Sequence, residues 1–257
     1  MQIIINKRLT LLFAFSLLLF FSISGKAFSQ EITFERAKEY RAKIPVRVVK
    51  KLPLPEGYHE GLYFDGKNLW LCNGEGGNIW IVSPRTGDIV SEIKPIGGFT
   101  EGITAYGDGT YWLTDWEDKK IYRVKINGRE MSIEYEIELD PAHPAGVAWT
   151  GKKLYMITWT RGFGTQYHLM QLDENEHMFI KMLIKRIHEP AHLAWDGKHL
   201  WITSWYNQLV YKVDVETFQI LGSFRSPAPD TTGIAWDGKY FWITGTRADL
   251  YQVEVGE

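Results

Sequence analysis

Cysteine is nearly absent from this 257-residue sequence, since Cys72 is the single one. No disulfide can form within the chain, so an oxidising destination is tolerated but not used for cross-linking. Long runs of lysine and arginine are also missing, and the formal net charge is only −2. Nucleic acid is therefore not an expected partner, because binding to phosphates needs clustered positive charge.

Familiar motifs for cofactors and metals are missing as well. The sequence has no phosphate-binding glycine loop, no G-x-S-x-G elbow and no Cys/His nucleophile pair. His188 and His192 match the H-E-x-x-H zinc pattern, but Pro190 lies between them and a strand pattern follows. Along a strand the two histidines would be about 13 Å apart, too far for one zinc ion. We therefore expect no cofactor and no metal.

A long apolar run occurs only near the N-terminus. Lys7 and Arg8 precede the run over residues 9–23, and small and polar residues follow it. This order is typical of a secretory signal peptide, and the run is shorter than the about 20 residues of a membrane-spanning helix. We predict a cleaved signal peptide over residues 1–29 and an exported chain, periplasmic or extracellular, with no membrane attachment. An uncleaved N-terminal anchor is the alternative.

The rest of the chain contains five copies of a short hairpin pattern. Each copy has an apolar strand, a tight turn and a second apolar strand, with the turns at Gly66, Gly107–Gly109, Gly151, Gly197 and Gly238. Asp-Gly between apolar runs is a strong hairpin signal, because glycine adopts the positive φ that the turn requires. The copies recur at intervals of roughly 40–45 residues, which is the size of a four-stranded propeller blade.

We therefore predict an all-β fold, a single five-bladed β-propeller domain over residues 30–257. The last copy has no fourth strand of its own, and the segment from Val46 to Lys50 is available to supply it. Pairing there would close the ring and remove an exposed sheet edge. An open sandwich and a six-bladed ring are the alternatives. We expect a monomer.

The residues that enter the first strand of each copy are expected to converge at one mouth of the central channel. Glu60, Glu101 and His192 are the ionisable ones among them. They either form a binding site, which such mouths favour, or only hydrate the channel. A small molecule or a peptide N-terminus is the expected partner at this mouth.

Aromatic residues fall into two columns when the second strands are aligned. The complete column predicts core between the blades and consists of Trp70, Trp112, Tyr155, Trp201 and Trp242. The second column is partial and lies at strand ends, with Trp116, Trp159 and Trp205. These three indoles either form an aromatic wall around a ligand or pack as core.

Three segments carry a resemblance to a known family. Residues 99–104 read Phe-Thr-Glu-Gly-Ile-Thr around Glu101, and residues 48–62 and 232–251 add weaker matches. These segments resemble the plant and bacterial glutaminyl cyclases (glutamine cyclotransferases), which are five-bladed propellers. In that family the α-amine of an N-terminal glutamine attacks its own γ-amide and ammonia leaves, without a cofactor. The resemblance implies a catalytic carboxyl at Glu101 and pocket tryptophans at Trp116 and Trp205.

Other pocket positions differ from the family pattern. Glu60 stands where the family has glutamine, and the family's tryptophan, two asparagines and lysine are replaced by Ala145, Ala191, Thr232 and Thr246. We therefore expect an acyltransferase of the glutaminyl-peptide cyclotransferase type whose activity is weak or absent. Glu101 would be catalytic, and the expected substrate-binding residues are Glu60, Trp116, Trp159, His192 and Trp205. The alternatives are a non-catalytic exported binding propeller and another propeller hydrolase or lyase.

Overall fold

The computed structural model describes residues 44–162, 164–172 and 177–256. Within these ranges the strands form five antiparallel four-stranded sheets. No helix in the described part of the chain is long and apolar enough to cross a membrane. The signal peptide predicted over residues 1–29 lies outside the described residues.

The strands follow the five sequence copies in order. The first is β1 (Val46–Leu52), and blade 1 comprises β2 (His59–Phe64), β3 (Leu69–Asn73), β4 (Ile79–Val82) and β5 (Ile89–Ile93). Blade 2 comprises β6 (Thr100–Ala105), β7 (Thr110–Asp115), β8 (Lys120–Asn127) and β9 (Glu130–Glu138). Blade 3 comprises β10 (Ala142–Trp149), β11 (Leu154–Thr160), β12 (Gln166–Leu172) and β13 (Met178–Leu183). Blade 4 comprises β14 (Pro190–Trp195), β15 (His199–Ser204), β16 (Leu209–Asp214) and β17 (Ile220–Arg225). Blade 5 comprises β18 (Thr231–Trp236), β19 (Phe241–Gly245), β20 (Leu250–Val255) and the N-terminal β1.

The N-terminal strand closes the ring. Strand β1 pairs antiparallel with β20, so that Val46 lies opposite Val255 and Leu52 lies opposite Leu250. The innermost strands of successive blades contact one another, and β18 of blade 5 contacts β2 of blade 1. The prediction of a five-bladed propeller closed by an N-terminal strand is therefore confirmed.

The repeated hairpin turn is held together by its aspartate. In blade 4, one carboxylate oxygen of Asp196 accepts hydrogen bonds from the backbone N–H groups of Lys198 and His199. Its other oxygen accepts a hydrogen bond from the indole of Trp201 at 2.7 Å. The same indole-to-aspartate bond occurs in blades 1 and 5, between Trp70 and Asp65 and between Trp242 and Asp237. The aspartate thus fixes both the turn and a tryptophan of the next strand.

The complete aromatic column forms the core between blades. All five side chains are buried. Each packs on the following blade: Trp201, for example, lies in one apolar cluster with Ile234 and Phe241 of blade 5, and Trp242 lies with Leu62 and Leu71 of blade 1. The interfaces between blades are therefore apolar all around the ring, and the polar inner ends of the blades are left to form a site.

Deleting residues 44–52 is expected to expose the edge of β20 and cause aggregation, because an unpaired strand edge templates pairing with other chains. Size-exclusion chromatography with light scattering measures this directly. Arg47→Ala is the matched control: it removes only the exposed ion pair with Glu254, which is worth at most about 1 kcal/mol. A deleted chain that stays monomeric and melts like the parent would contradict the closure of the ring by β1.

Candidate functional site

All five inner strands are irregular at the same level of the channel. In blades 1, 3, 4 and 5 the pairing with the second strand shifts register across two residues, and in blade 2 it shifts across Glu101. The shifted positions are Glu60–Gly61, Glu101, Ala145–Gly146, Ala191–His192 and Thr232–Gly233. Such bulges re-aim side chains and are common next to active sites. The residues that the sequence brings to the channel mouth therefore lie on bulges.

Threonines on the first and second strands satisfy carbonyl groups at and next to the bulges. Thr114 donates to the carbonyl oxygen of Ala145 in the next blade at 2.6 Å. Thr203 donates to that of Thr232 at 2.7 Å, and Thr232 in turn donates to that of His59 at 2.9 Å. These bonds link blade 2 to 3, blade 4 to 5 and blade 5 to 1. They hold the inner strands rigidly at the level of the site.

A pocket of about 320 Å³ opens above the bulges. It is lined by Glu60 and Glu101 at the inner strands, by Ala145, Ala191 and Thr232 at the equivalent positions, and by Tyr58, Phe99, Trp116, Glu117, Trp159, Arg161 and Trp205. Its volume lies at the low end of the roughly 300–1,000 Å³ range of small-molecule sites. At the other end of the inner strands the cavity is only about 90 Å³. A larger groove of about 500 Å³ beside blades 3 and 4 is mainly aliphatic and contains no carboxyl group.

Glu60 and Glu101 form a hydrogen-bonded carboxyl pair in this pocket. Burial, followed by the charge of Glu101, holds the pKa of Glu60 well above its usual range. Burial, followed by the charge of Asp115, raises the pKa of Glu101 to about 8. Two adjacent carboxyl groups with little access to water cannot both ionise easily. The pair therefore retains a proton at neutral pH and can give it to, or take it from, a bound group.

Asp115, on the adjacent strand β7, holds the segment that carries Glu101 in place. Its side chain is fully buried and accepts hydrogen bonds from the backbone N–H groups of Phe99 and Asp118 at 3.0 and 2.9 Å. Thr100, between Phe99 and Glu101, pairs opposite Asp115 in the sheet. Asp115 thus fixes the strand that carries Glu101 while its charge disfavours ionisation of Glu101.

The partial tryptophan column lines the pocket, and its indoles are tied to neighbouring residues. The indole N–H of Trp159 donates to the carbonyl oxygen of Pro190 at 2.8 Å. The indole N–H of Trp205 donates to the hydroxyl of Thr246 at 3.0 Å. Trp116 stacks on His143 with ring centroids 4.6 Å apart. The three rings are only partly buried, with Trp205 39% exposed, so their faces are available to a ligand.

His192 lies below this pocket and does not line it. Its side chain crosses the channel to reach the glycines that occupy the equivalent position in other blades. A Cβ atom would lie 2.4 Å from its Nε2 at Gly61 and 3.0 Å at Gly102, and 2.8 Å from its Cδ2 at Gly146. The imidazole therefore fills the channel axis in space that glycines leave open. Burial lowers the pKa of His192 to about 4, so the ring is neutral at pH 7.

Several residues that the sequence patterns did not identify complete the rim of the pocket. Tyr58 and Phe99 each precede a pocket glutamate by two residues, and their rings meet edge to face at 5.6 Å. Each aromatic residue lies directly before its inner strand, so the same two-residue offset from a glutamate in two blades is the signal that places both at the pocket. Arg161 and Glu117 also line the pocket, but they lie beyond the strand ends, where no periodicity indicates their position.

Metal coordination is not a feature of the described part of the chain. Residues 44–162, 164–172 and 177–256 contain no group of three or more His, Cys, Asp or Glu side chains arranged to hold a metal. The two histidines of the H-E-x-x-H pattern are separated in environment: His188 is exposed at the rim beside Tyr206, with ring centroids 4.5 Å apart, and His192 is buried in the channel. The pocket therefore offers acid–base groups and aromatic faces.

Comparison with solved structures gives the fold. The glutaminyl cyclase of Myxococcus xanthus superposes with a TM-score of 0.67 at 15% identity, over 84% of this chain and 98% of that one. The likeness shows the propeller fold. A PQQ-bound aldose sugar dehydrogenase from Streptomyces coelicolor follows, with a TM-score of 0.56 at 13% identity over 83% and 99% of the two chains. Virginiamycin B lyase from Staphylococcus aureus has a TM-score of 0.52 at 12% identity over 82% and 99%.

Comparison by sequence does not place the chain in a family. By sequence, the chain matches no described protein family and no curated protein. The three structural neighbours differ in what their names say they do, so the shared fold carries no activity by itself. Any function of this chain therefore depends on the residues of its pocket.

Proposed function

We propose that this protein is an exported enzyme of the glutaminyl cyclase type, with Glu101 as the acid–base group. The observation that carries the proposal is the hydrogen-bonded pair of Glu60 and Glu101, with the pKa of Glu101 raised to about 8 by burial. Perturbed ionisable groups in a cleft are typical of catalytic sites, because proton transfer is fastest when the pKa lies near the working pH.

The reaction requires two proton transfers, one from Glu101 and one back to it. The α-amine of an N-terminal glutamine attacks the carbon of its own side-chain amide, so that a nitrogen–carbon bond forms. Glu101 gives its proton to the departing amide nitrogen as the carbon–nitrogen bond breaks, and ammonia leaves. The carboxylate then takes the surplus proton from the attacking nitrogen, which leaves a lactam and restores Glu101. Proton transfer of this kind typically contributes about 10²–10⁴-fold to a rate.

The tryptophans supply the shape that cyclisation needs. The chain of a glutamine must fold back on itself, and holding reactants in that geometry lowers the barrier. Trp116, Trp159 and Trp205 line the pocket around the two carboxyl groups, and their rings can hold the folded side chain while restricting water.

Recognition of the glutamine amide is the weak part of the site. Of the positions that differ from the resembling family, Ala145, Ala191 and Thr232 line the pocket here, and Thr246 accepts the indole N–H of Trp205. Alanine side chains cannot donate a hydrogen bond to an amide oxygen. We therefore propose slow turnover of glutaminyl peptides.

Binding without turnover is the second candidate, and Glu60 favours it. A second carboxyl group beside Glu101 can ionise against an incoming α-ammonium group and keep it protonated, and a protonated amine cannot attack. In this case the protein is an exported binding propeller for an amine-bearing small molecule, a peptide end or a protein partner. Under both proposals the protein acts as a monomer in the periplasm or outside the cell, without a cofactor and without nucleic acid.

Mass spectrometry of a glutamine-initial peptide after incubation with the purified protein separates the two candidates. Cyclisation lowers the peptide mass by one ammonia, and a peptide that begins with alanine is the control. We expect slow but measurable loss of ammonia from the glutamine peptide alone. A peptide that binds, as measured by calorimetry, yet keeps its mass after prolonged incubation would overturn the enzyme proposal and leave the binding proposal.

A further inference from the structure

Two arginines each stack on an aromatic residue that lines the pocket, and one of them, Arg161, also lines the pocket itself. The guanidinium carbon of Arg161 lies 5.3 Å from the ring centre of Trp116, and that of Arg247 lies 5.6 Å from the ring centre of Tyr58. Stacking of this kind is favourable and fixes the plane of a guanidinium group. The two arginines are therefore comparable in packing.

The two arginines differ in charge neutralisation. Arg247 forms an ion pair with Glu75 at 3.2 Å, whereas among the described residues Arg161 forms no ion pair. Glu117 is the other charged residue on the pocket rim, and its carboxylate lies against Gly98. An exposed guanidinium group held over an indole keeps its N–H donors for a planar acceptor such as a carboxylate.

The pocket thus has opposite charges at two places. Glu60 and Glu101 at the inner strands attract an amine, and Arg161 follows the outer end of β11 at the rim. The small volume of about 320 Å³ restricts how far apart the two charged ends of a ligand can be. A ligand that satisfies both ends carries an amine and a carboxylate separated by a short spacer.

We propose that Arg161 binds a carboxylate of the substrate, so that the site takes a short peptide whose carboxylate lies close to its α-amine. This inference rests on the proposed function for the role of the amine, since it places that amine at Glu60 and Glu101. Either the C-terminus of a dipeptide or an acidic side chain at the second position of a longer peptide presents this chemistry. Arg161 is then the residue that determines specificity beyond the first residue.

Isothermal titration calorimetry with norvalyl-alanine and norvalyl-alanine amide tests the inference without turnover, because norvaline has no side-chain amide to cyclise. We expect the free carboxylate to bind about 10-fold more tightly than the amide, as one charge-assisted hydrogen-bonded pair implies. Arg161→Gln should remove this preference, and Arg161→Lys should retain part of it. Arg247→Gln is the matched control and should leave the preference unchanged.

A second pair of ligands identifies the source of the carboxylate. Norvalyl-aspartyl-alanine amide and norvalyl-asparaginyl-alanine amide differ only in a side-chain carboxylate, so a preference for the first assigns the acidic side chain. Equal binding of this pair, together with a preference in the dipeptide pair, assigns the C-terminus.

Equal affinity for acid and amide forms in both pairs would overturn the inference, as would an Arg161→Gln variant with the full preference. The general attraction of the carboxyl pair favours the more cationic amide ligands, so a carboxylate preference needs a specific cation. Failure of the proposed function is distinguishable, since it leaves the carboxylate preference intact while glutamine-initial peptides keep their ammonia.

Discussion

Replacing Glu101 by glutamine is expected to lower the rate of cyclisation by at least about 100-fold, because the amide cannot give a proton to the departing nitrogen. The isosteric side chain keeps the shape of the pocket. Ammonia release from a glutamine-initial peptide, followed by mass spectrometry, measures the loss. A Glu101→Gln variant with the activity of the parent would remove Glu101 from the mechanism.

Glu60→Gln is the matched control for this prediction, and it is expected to change the rate in the opposite direction. An amide at this position can still donate a hydrogen bond to Glu101, but it cannot ionise beside the substrate amine and so cannot hold that amine protonated. Cyclisation should therefore become faster than in the parent. A slower Glu60→Gln variant would show that the proton of Glu60 is itself needed for the reaction.

The pH dependence of the rate follows from the same groups. An α-amine, with a pKa of about 7.7–8.0, must lose its proton to attack, whereas Glu101, with a pKa of about 8, must keep its proton to act as an acid. The rate should rise toward pH 8 and fall above it, and the apparent pKa values belong to the coupled pair.

The raised pKa of Glu101 also makes the folded state less stable at high pH. The folded chain keeps a proton that the unfolded chain loses above its ordinary pKa of 4.5, so this contribution to stability falls as the pH rises from about 4.5 to about 8. The melting temperature of Glu101→Gln should therefore improve relative to the parent between pH 5 and pH 8. This measurement also tests whether the variant is folded, so that a loss of activity can be assigned to the missing carboxyl group.

Gly146→Ala is expected to destabilise the propeller by about 3 kcal/mol or more, which is the upper end of the cost of overpacking. A Cβ atom at this position would lie 2.3 Å from the Cα atom of His192 and 2.7 Å from the carbonyl oxygen of Ala191. Both are backbone atoms of the next inner strand, so no side-chain rotation relieves the clash. A thermal melt should show a decrease of roughly 6–12 °C for a domain of this size.

Gly162→Ala is the control for this effect, because a Cβ atom there would meet no atom within 4 Å. This substitution should leave the melting temperature within about 2 °C of the parent, as surface changes usually do. If Gly146→Ala melted as the control does, the inner strands would not be packed around the channel as closely as the distances indicate.

The fold was predictable because each blade repeats a similar local sequence pattern. An Asp-Gly turn between two apolar runs specifies a hairpin, and its aspartate also binds a tryptophan near the start of the next strand, as Asp196 and Trp201 show. Such interactions join residues that are neighbours in sequence, so they are readable from the repeat. The missing fourth strand of blade 5 was readable as well, because an unpaired edge requires a partner and Val46 to Lys50 is the available strand.

The main pocket residues were partly predictable for a related reason. Equivalent positions of a propeller converge at one mouth, so aligning the copies brought together Glu60, Glu101 and the three tryptophans that line the pocket. Arg161 was missed because it lies in a connection beyond β11, and connections follow no repeat. Its position over Trp116 depends on contacts between blade 3 and blade 2.

The repeat pattern sufficed for the propeller and for the residues that meet at its mouth, because strand period, turn chemistry and copy number are local properties of the chain. Only the closed ring decided which of these residues line the pocket and which fill the channel axis below it. His192 was expected at the mouth with Glu60 and Glu101, yet its ring fills the axis among the glycines of the other blades and lies below the pocket. The raised pKa values of Glu60 and Glu101 likewise arise only when two blades bury carboxyl groups that are 41 residues apart in the chain. Such distances and such burial depend on how the blades pack together, and the sequence of a single repeat does not determine that packing.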